Sequence, residues 1–352
     1  MPGIVSFVVQ FALVDRVHES PAGTEATQDQ VISISAIIPT FNRNDGLRRA
    51  LESLRDQTLP ADEYEIIVVD NRSSDDTQKV VAEFMNAKSP AAAIRFIREE
   101  RLGLHFARHA GARLAQGAIL AFIDDDAFAD SRWLEGLLDG YSDDRIGCVG
   151  GKILPIWETE PHEWVRCYGP GSLSLLDLGE ELVELKTSDI YGCNFSIRRS
   201  LLFKVHGFNP DSFGDFWLGD GETGLLLKVR QAGWRIVYTP KAVVWHMIPA
   251  SRMTLSYLKR RWANQGACNS YTAYRENRPS RGHLLLGSFN NGVKAGLFES
   301  RAMWNRMLGR DRKYHCKIRA SYHWRRLSYD LRLMYDRQLR ELVEKDDWLE
   351  DG

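Results

Sequence analysis

Three consecutive aspartates are the residues of this chain best suited to chemistry. Asp124, Asp125 and Asp126 come directly after the apolar run at residues 119–123. Clustered carboxylates repel one another and raise one another's pKa values unless a cation neutralises them. A divalent cation that prefers oxygen ligands is the simplest such partner. The alternative is an exposed acidic turn that caps the following helix.

The elements around these aspartates can be predicted from periodicity. From Ile32 onward, short apolar runs alternate with helical spacing, which is typical of βαβ units in a mostly parallel sheet. The pattern predicts strands at 33–39, 65–70, 94–97 and 118–123, separated by helices at 45–57, 75–86 and 104–116, with Asn44 as the first N-cap. Beyond them it predicts helices at 133–138 and 222–231 and strands at 191–197 and 235–238.

Polar side chains stand at the ends of three of the predicted strands. They are Pro39, Thr40, Asn42 and Arg43 after the first strand, Asp70 at the end of the second, and the aspartate triplet after the fourth. Ligands bind in the crevice at the carboxyl ends of parallel strands, so we expect these groups to share one site. This placement favours the metal site over the acidic turn.

The composition excludes several classes of protein. The chain has 352 residues and a formal net charge of -1, which argues against a dedicated nucleic-acid binder. Its five scattered cysteines form no C-x-x-C pair, so neither a disulfide framework nor a structural zinc site is expected. No apolar run reaches the roughly 18 residues of a membrane span. We therefore expect a cytoplasmic protein with a poorly specified leader at residues 1–30.

The neutral total conceals an uneven distribution of charge. Residues 301–340 hold twelve Lys or Arg against three Asp or Glu, whereas residues 341–352 hold one against six. The pattern predicts a helix at 318–343 whose apolar stripe runs between arginines. Such a helix either contacts the inner face of an anionic membrane peripherally or packs on the rest of the protein or on a second copy in an oligomer.

Four segments of the chain follow one another in an order that is specific as a set. They are Pro39-Thr40-Phe41-Asn42-Arg43, Val68-Val69-Asp70-Asn71 with Asp75, Gly103 to Arg108, and Phe122-Ile123-Asp124-Asp125-Asp126. Together they resemble glycosyltransferase family 2, over about residues 33–270. The family consists of inverting enzymes that use nucleoside-diphosphate sugars, here expected to be of the UDP type.

This resemblance implies an α/β fold of the GT-A type, with a Rossmann-like, mostly parallel sheet flanked by helices and a helical C-terminal extension. It implies a catalytic domain at 31–270, with a nucleotide-binding half at 31–130 and a sugar and acceptor half at 131–270. A basic helical region with an acidic tail follows at 271–352.

The resemblance also implies the groups that bind the donor. The nucleotide-sugar ligands would be Pro39, Thr40, Asn42, Arg43, Asp70, Arg108, Asp124, Asp125, Asn194, Arg252 and Arg261. Asp70 would accept a hydrogen bond from a uracil-type imide, and Asn194 would bond sugar hydroxyls. Asp126 would bind Mn²⁺ or Mg²⁺, with His246 and Asp124 as further ligands. The family usually has Asn after the arginine at Arg108, where this chain has His109.

The catalytic carboxylate is expected in Gly219-Asp220-Gly221-Glu222-Thr223-Gly224. An acceptor hydroxyl must lose its proton as it attacks the anomeric carbon, and a nearby carboxylate can take that proton. Glu222 aligns with the family's general base, and Asp220 is the second candidate. A capping-box glutamate is the structural alternative for Glu222. Trp217 is expected to stack on an acceptor ring.

The acceptor is left open among a saccharide, a lipid-linked oligosaccharide and a protein side chain, in polysaccharide or glycoconjugate biosynthesis. Two other functions compete with transfer. Gly221 and Gly224 stand where the family usually has acidic residues, which would fit a degenerate protein that only binds carbohydrate. A sugar-nucleotide pyrophosphorylase shares the layout but would need a glycine-rich loop with Arg and Lys after the first strand.

Overall fold

A mixed sheet of nine strands forms the centre of the molecule. The structure is a computed structural model that describes residues 32–87, 92–186, 190–213 and 216–349. The predicted leader at residues 1–30 lies outside these ranges. Eleven strands lie within the described residues, nine in this sheet and two in a separate pair. They are β1 Ile34–Thr40, β2 Tyr64–Asp70, β3 Ala93–Arg98, β4 Ile119–Phe122, β5 Ala127–Ala129, β6 Ile146–Trp157, β7 Val183–Glu184, β8 Phe195–Arg198, β9 Ser212–Phe213, β10 Phe216–Trp217 and β11 Arg235–Ile248.

The order of the strands confirms the predicted architecture. The sheet runs β3-β2-β1-β4-β8-β6-β11-β5, with β7 beside β11, while β9 and β10 form a separate pair. The first four strands are parallel, β8 is antiparallel to both neighbours, and β11 pairs parallel with β6. Because β1, β2 and β4 are buried on both faces, they are continuous apolar runs rather than alternating ones.

Eleven α-helices within the described residues flank and extend this sheet. They are α1 Asn44–Arg55, α2 Thr77–Met85, α3 Leu104–Leu114, α4 Trp133–Asp139, α5 Glu163–Tyr168, α6 Arg199–Lys204, α7 Gly221–Gln231, α8 Leu255–Asn277, α9 Arg281–Met307, α10 Arg312–Tyr335 and α11 Arg337–Glu344. The predicted apolar face of α1 is buried on the sheet. The predicted cap is wrong, since Arg43 occupies the N-cap and Asn44 is already helical. The backbone N–H of Asn44 donates instead to Asp75 Oδ2, 3.2 Å away.

Two strands near the site differ from their predicted lengths. The strand predicted at 191–197 begins only at Phe195, because a turn in which Asn194 N donates to Tyr191 O precedes it. The strand predicted at 235–238 runs on to Ile248, because its register with β6 shifts between Thr239 and Val243 and pairing then resumes. Such a bulge accommodates Pro240, which cannot donate to a neighbouring strand.

The C-terminal region packs on the rest of the molecule. Helix α8 runs through residue 270 without a break, so the division predicted there falls inside one helix. The helix predicted at 318–343 is two helices, α10 and α11, separated at Asp336, whose carboxylate accepts from Leu339 N. Met334, Leu339 and Leu342 of its predicted stripe pack in a cluster with Leu218. Among the described residues, no helix is long and apolar enough to cross a membrane.

Candidate active site

The loops after β1, β2 and β4 meet at a cavity of about 530 Å³. We call it the donor-side cavity, because most of the nucleotide-sugar ligands predicted from the sequence line it. Its lining includes Pro39, Thr40, Arg43, Asn71, Asp124, Asp125, Asp126, His246, Arg252, Tyr257 and Arg261. The structure therefore brings together the strand ends that the sequence pattern predicted to converge.

Asp125 joins the aspartate triplet to the loop after β1. Its Oδ2 accepts from Thr40 Oγ1 at 2.9 Å, and its Oδ1 accepts from Arg43 Nη1 at 2.9 Å. Burial raises the pKa of Asp125 to about 6, against the lowering effect of the Arg43 charge. These two bonds fix the loop carrying Thr40 against the triplet and shape the wall of the cavity.

Two arginines and a histidine surround Asp126. Its Oδ2 lies 2.7 Å from Arg43 Nη1 and 2.6 Å from Arg252 Nη2, and its Oδ1 lies 3.4 Å from His246 Nε2. Burial alone would raise the pKa of Asp126, but His246 and the charges of Arg252 and Arg43 hold it well below its usual range. Asp126 is therefore an ionised, negatively charged group at neutral pH.

A backbone carbonyl orients the ring of His246. Its Nδ1 lies 3.0 Å from Leu173 O, which can only accept, so Nδ1 carries the ring hydrogen and Nε2 keeps its lone pair. That lone pair accepts from Arg252 Nη1 at 3.1 Å. Metal-ligating histidines usually donate their other ring N–H to a carbonyl or carboxylate. Among the described residues, no group of three or more His, Cys, Asp or Glu side chains converges as a metal site.

A second cavity of about 600 Å³ adjoins the first. We call it the acceptor-side cavity; it shares Leu104, Asp124, Ser172, Ser174 and Arg261 with the donor-side cavity. Arg261 Nε donates to Ser172 O at 3.4 Å along this shared wall. The remaining lining includes Arg108, Tyr191, Gly192, Asp211, Trp217, Asp220, Glu222, Trp262 and Asn269.

Glu222 lies at the start of α7 and points into the acceptor-side cavity. Its Oε1 accepts from Gly192 N at 3.3 Å, and its Oε2 lies 3.5 Å from Arg108 Nη1. The buried Arg108 also lies 3.7 Å from Asp124 Oδ1, so it links the carboxylates of the two cavities. Although burial opposes its charge, Glu222 and Asp124 raise the pKa of Arg108. About a quarter of the Glu222 side chain is exposed to solvent.

Asp220, the second predicted base, is held by two short bonds. Asn209 Nδ2 donates to its Oδ1 at 2.8 Å, and Thr272 Oγ1 donates to its Oδ2 at 2.7 Å. These bonds tie the start of α7 to α8 through a buried carboxylate. Glu222, which has weaker contacts and greater exposure, has the geometry better suited to taking up a proton.

Asp211 is a cavity carboxylate that the sequence analysis missed. Burial, followed by repulsion from Glu222, raises its pKa to about 7. It precedes β9, eleven residues from Glu222, and no periodicity or family motif distinguishes it. A Cβ at Gly221 would lie 2.0 Å from Asp211 Oδ1, and a Cβ at Gly224 would lie 2.1 Å from Asp220 Oδ1. The two glycines that stand in usual acidic positions therefore make room for other carboxylates.

Some predicted ligands have roles within the protein. Asn194 is fully buried, and its amide donates to Lys152 O and Ala242 O while its Oδ1 accepts from Trp133 Nε1. The predicted contact of Asn194 with sugar hydroxyls is therefore wrong, because the side chain is bonded within the core.

Asp70 at the end of β2, Asn42 in the loop after β1 and His109 in α3 also have internal partners. Asp70 accepts from Ser73 N at 2.7 Å and from Arg98 Nη1 at 2.9 Å, and Asn42 Oδ1 accepts from Ser74 N at 2.7 Å. His109 Nε2 accepts from Phe208 N at 2.8 Å. These bonds hold the loops that border the cavities.

The sequence of the chain is similar to those of known glycosyltransferases. A family model described as Glycosyl transferase family 2 matches residues 35–205. The glycosyltransferase AglE of Haloferax volcanii is 34% identical over 120 residues, which are 34% of this chain and 39% of AglE. The glucosyl-dolichyl phosphate glucuronosyltransferase of the same organism is 26% identical over 67% of this chain and 75% of that protein. The chain thus spans well under half of the first relative and three quarters of the second.

Solved structures show the same fold. The mannosyltransferase PcManGT from Pyrobaculum calidifontis, in complex with GDP-Man and Mn²⁺, superposes with a TM-score of 0.53 at 19% identity, over 86% of this chain and 87% of that one. GalNAc-T7 with UDP, GalNAc and Mn²⁺ gives a TM-score of 0.50 at 21% identity, over 66% of this chain and 48% of that one. The fold is therefore of the GT-A type.

Proposed function

We propose that the chain, whose residues 35–205 match the model of Glycosyl transferase family 2, moves a sugar from a nucleoside-diphosphate sugar to an acceptor hydroxyl with inversion at the anomeric carbon. The observation that carries this proposal is the pair of adjoining cavities, joined at Asp124, with a cation-rich site in one and the Glu222 carboxylate in the other. Such an arrangement fits two substrates that react at a shared boundary.

The donor is proposed to occupy the cavity at the strand ends. Thr40 and Asp125 would hold the nucleoside, and Arg43, Arg252 and Arg261 carry the positive charge that a diphosphate needs. Arg43 and Arg252 already converge on one carboxylate, within 2.7 Å of Asp126. A nucleotide of the UDP type stays a prediction, since Asp70, its proposed imide acceptor, is bonded to Ser73 and Arg98.

A divalent metal is proposed at Asp126 and His246. An ionised carboxylate beside a histidine whose Nδ1–H is already donated to Leu173 O fits a hard or borderline cation such as Mn²⁺ or Mg²⁺. Asp124 of the same triplet is the further predicted ligand. When bound, such a metal stabilises the charge of the departing nucleoside diphosphate.

Glu222 is proposed as the general base. Gly192 N and Arg108 orient its carboxylate in the acceptor-side cavity. It would take the proton of the acceptor hydroxyl as that oxygen bonds to the anomeric carbon and the bond to the diphosphate breaks. Attack from the face opposite the leaving group turns an α-linked donor into a β-linked product.

The acceptor, pathway and location stay predictions. The name of the glucuronosyltransferase relative contains a dolichyl phosphate-linked sugar, which supports a lipid-linked acceptor in glycoconjugate synthesis. A saccharide or a protein side chain is the alternative. The sequence predicts a cytoplasmic location. It also predicts peripheral contact with the inner face of the membrane through residues 301–340.

The test is release of nucleoside diphosphate from a panel of nucleotide sugars, with Mn²⁺, with Mg²⁺ and with a chelator. We expect turnover with at least one donor and its loss on chelation. Glu222→Gln should reduce kcat by on the order of a hundredfold to ten-thousandfold while donor binding stays within a few fold of wild type. Glu135→Gln, on an exposed surface pair with Arg132, is the matched control. Donor binding without turnover by the wild-type chain would support the carbohydrate-binding alternative.

A further inference from the structure

Helix α9 exposes most of its large apolar side chains, whereas most of its buried residues are small or polar. Facing its helical neighbours are buried Ser288, Asn291, Ala295, Ala302 and Asn305. The opposite face carries Leu286, Phe289, Val293, Leu297, Trp304 and Met307. Leu286, Phe289 and Met307 are 69%, 72% and 74% exposed. An ordinary surface helix has the reverse arrangement.

These exposed side chains form a strip, which we call the α9 strip. Their spacings of three, four and seven residues place them on one side of the helix. From Leu286 to Met307 the strip is about 30 Å long, at about 1.5 Å per residue. Contiguous apolar patches of this size on a folded surface mark an interaction site.

A cationic cavity lies at the C-terminal end of the same strip. It has a volume of about 480 Å³, and its lining includes Arg301, Arg310, Arg312, His315 and the strip residue Trp304. Within the described part of the chain, none of these three arginines pairs with a carboxylate. Guanidinium groups bind phosphate oxygens through paired hydrogen bonds, so the cavity suits a phosphate group.

The charge around the strip decides between its two plausible occupants. Residues 281–313 hold seven Lys or Arg against two Asp or Glu. A second copy of the chain would bring this positive surface against an equally positive one. A bilayer with anionic headgroups offers apolar tails to the strip and phosphates to the arginines.

We propose that the α9 strip docks on an anionic lipid bilayer, with the cavity at Arg301, Arg310 and Arg312 holding a lipid phosphate. The proposed surface shares Arg301, Arg310 and Arg312 with the membrane contact predicted at 301–340. Its apolar part is α9 instead of the stripe predicted at 318–343, of which Met334, Leu339 and Leu342 pack in a cluster inside the molecule. The proposal does not depend on the proposed transferase activity, because no strip or cavity residue lines the donor-side or acceptor-side cavity.

The experiment is cosedimentation of the purified full chain with phosphatidylcholine vesicles, with and without phosphatidylglycerol. We expect wild type to pellet with the anionic vesicles and to be released by salt. Leu286→Ser with Phe289→Ser should weaken partitioning by at least about a hundredfold. Leu178→Ser with Leu182→Ser, at residues 42% and 46% exposed outside the strip, is the control and should pellet as wild type does.

A second pair of variants tests the phosphate cavity. Arg310→Gln with Arg312→Gln should weaken partitioning by about 25-fold, since each cation near an anionic surface contributes about fivefold. Arg132→Gln with Arg145→Gln removes the same charge elsewhere and should have a much smaller effect. Matching thermal midpoints establish that all variants are folded. Glu222→Gln should pellet as wild type does, which separates docking from catalysis.

Four results would overturn the proposal. One is that wild type binds neither kind of vesicle, and another is that both pairs of variants pellet as well as wild type does. Calorimetry could detect inorganic phosphate at the arginines while anionic vesicles stay unbound, which would make the cavity a site for soluble anions. Light scattering could show a dimer that Phe289→Ser dissociates, again without vesicle binding, which would make a second copy the occupant.

Discussion

At the scale of single residues, Gly192 leaves the space that Arg108 fills. A Cβ at position 192 would lie 2.0 Å from Arg108 Nη2. Gly192→Ala should push the guanidinium away from Glu222 and Asp124 and disturb the boundary between the two cavities. We expect kcat to fall by on the order of tenfold to a hundredfold, since small misplacements in a site have effects of this size.

Steady-state kinetics and thermal unfolding measure this effect and its specificity. Gly296→Ala is the control, because no atom lies within 4 Å of a Cβ at that helical position. It should leave kcat unchanged and stabilise the fold by up to about 1 kcal/mol. If Gly192→Ala kept full activity, Arg108 would not be needed to orient the base.

The residues of the site could be predicted to different degrees. Thr40, Asp125 and Asp126 stand at strand ends, where topology alone brings side chains together, and Glu222 opens a helix in a recognisable motif. Asn194 has a similar motif, but its amide is bonded within the core. Asp211 lines the cavity just before the short strand β9, and no local pattern in the sequence predicts that position.

At the scale of elements, the packing of α10 on α9 depends on a neutral histidine. His323 Nδ1 lies 2.9 Å from Asn291 Oδ1, and the ring stacks on Phe298. Burial, with the charges of Arg319, Lys294 and Arg326, lowers the pKa of His323 from 6.5 to about 4. In the unfolded chain, His323 therefore becomes protonated as the pH falls below 6.5. In the folded protein it becomes protonated only near pH 4.

This difference predicts a loss of stability on acidification. The contribution of His323 is complete above pH 6.5 and is lost as the pH falls to about 4, by about 3 kcal/mol at most. His323→Asn should lower the unfolding free energy at neutral pH and flatten its pH dependence in that window. Urea titrations at several pH values measure this slope. The exposed His162→Asn control should keep the wild-type slope, and an unchanged slope in His323→Asn would contradict the assignment.

Periodicity identified the parallel half of the sheet because β1, β2 and β4 are short, apolar and separated by amphipathic helices. The strand predicted at 235–238 was too short because Thr239-Pro240-Lys241 has the composition of a turn, whereas β11 continues through a bulge there. That continuation places His246 beside Asp126, so the element least predictable from the sequence supplies a proposed metal ligand. Bulges depend on the pairing of distant strands, which a local pattern does not contain.

At the scale of the whole molecule, the C-terminal segment belongs to the same core as the loop that carries the proposed base. Trp348 is buried in a cluster with Leu218, Tyr271, Tyr329 and Leu333. Tyr329 Oη donates to Leu218 O at 2.5 Å, two residues before Asp220. Arg275 Nη1 donates to Val343 O at 2.7 Å and to Lys345 O at 2.6 Å. Residues of the predicted acidic tail thus pack beside the loop that carries the proposed base.

This arrangement predicts that Trp348→Ala destabilises the catalytic unit as a whole. Removing so large a buried side chain should cost about 3 to 5 kcal/mol, and unfolding should stay a single transition at a lower temperature. Turnover should fall as well, because Leu218 loses packing beside the loop of Asp220 and Glu222. Trp324→Ala, on α10 but 46% exposed, is the control and should change both readouts little. Calorimetry and release of nucleoside diphosphate follow the two effects. Two separate transitions, with turnover unaffected, would instead make residues 271–352 an independent domain.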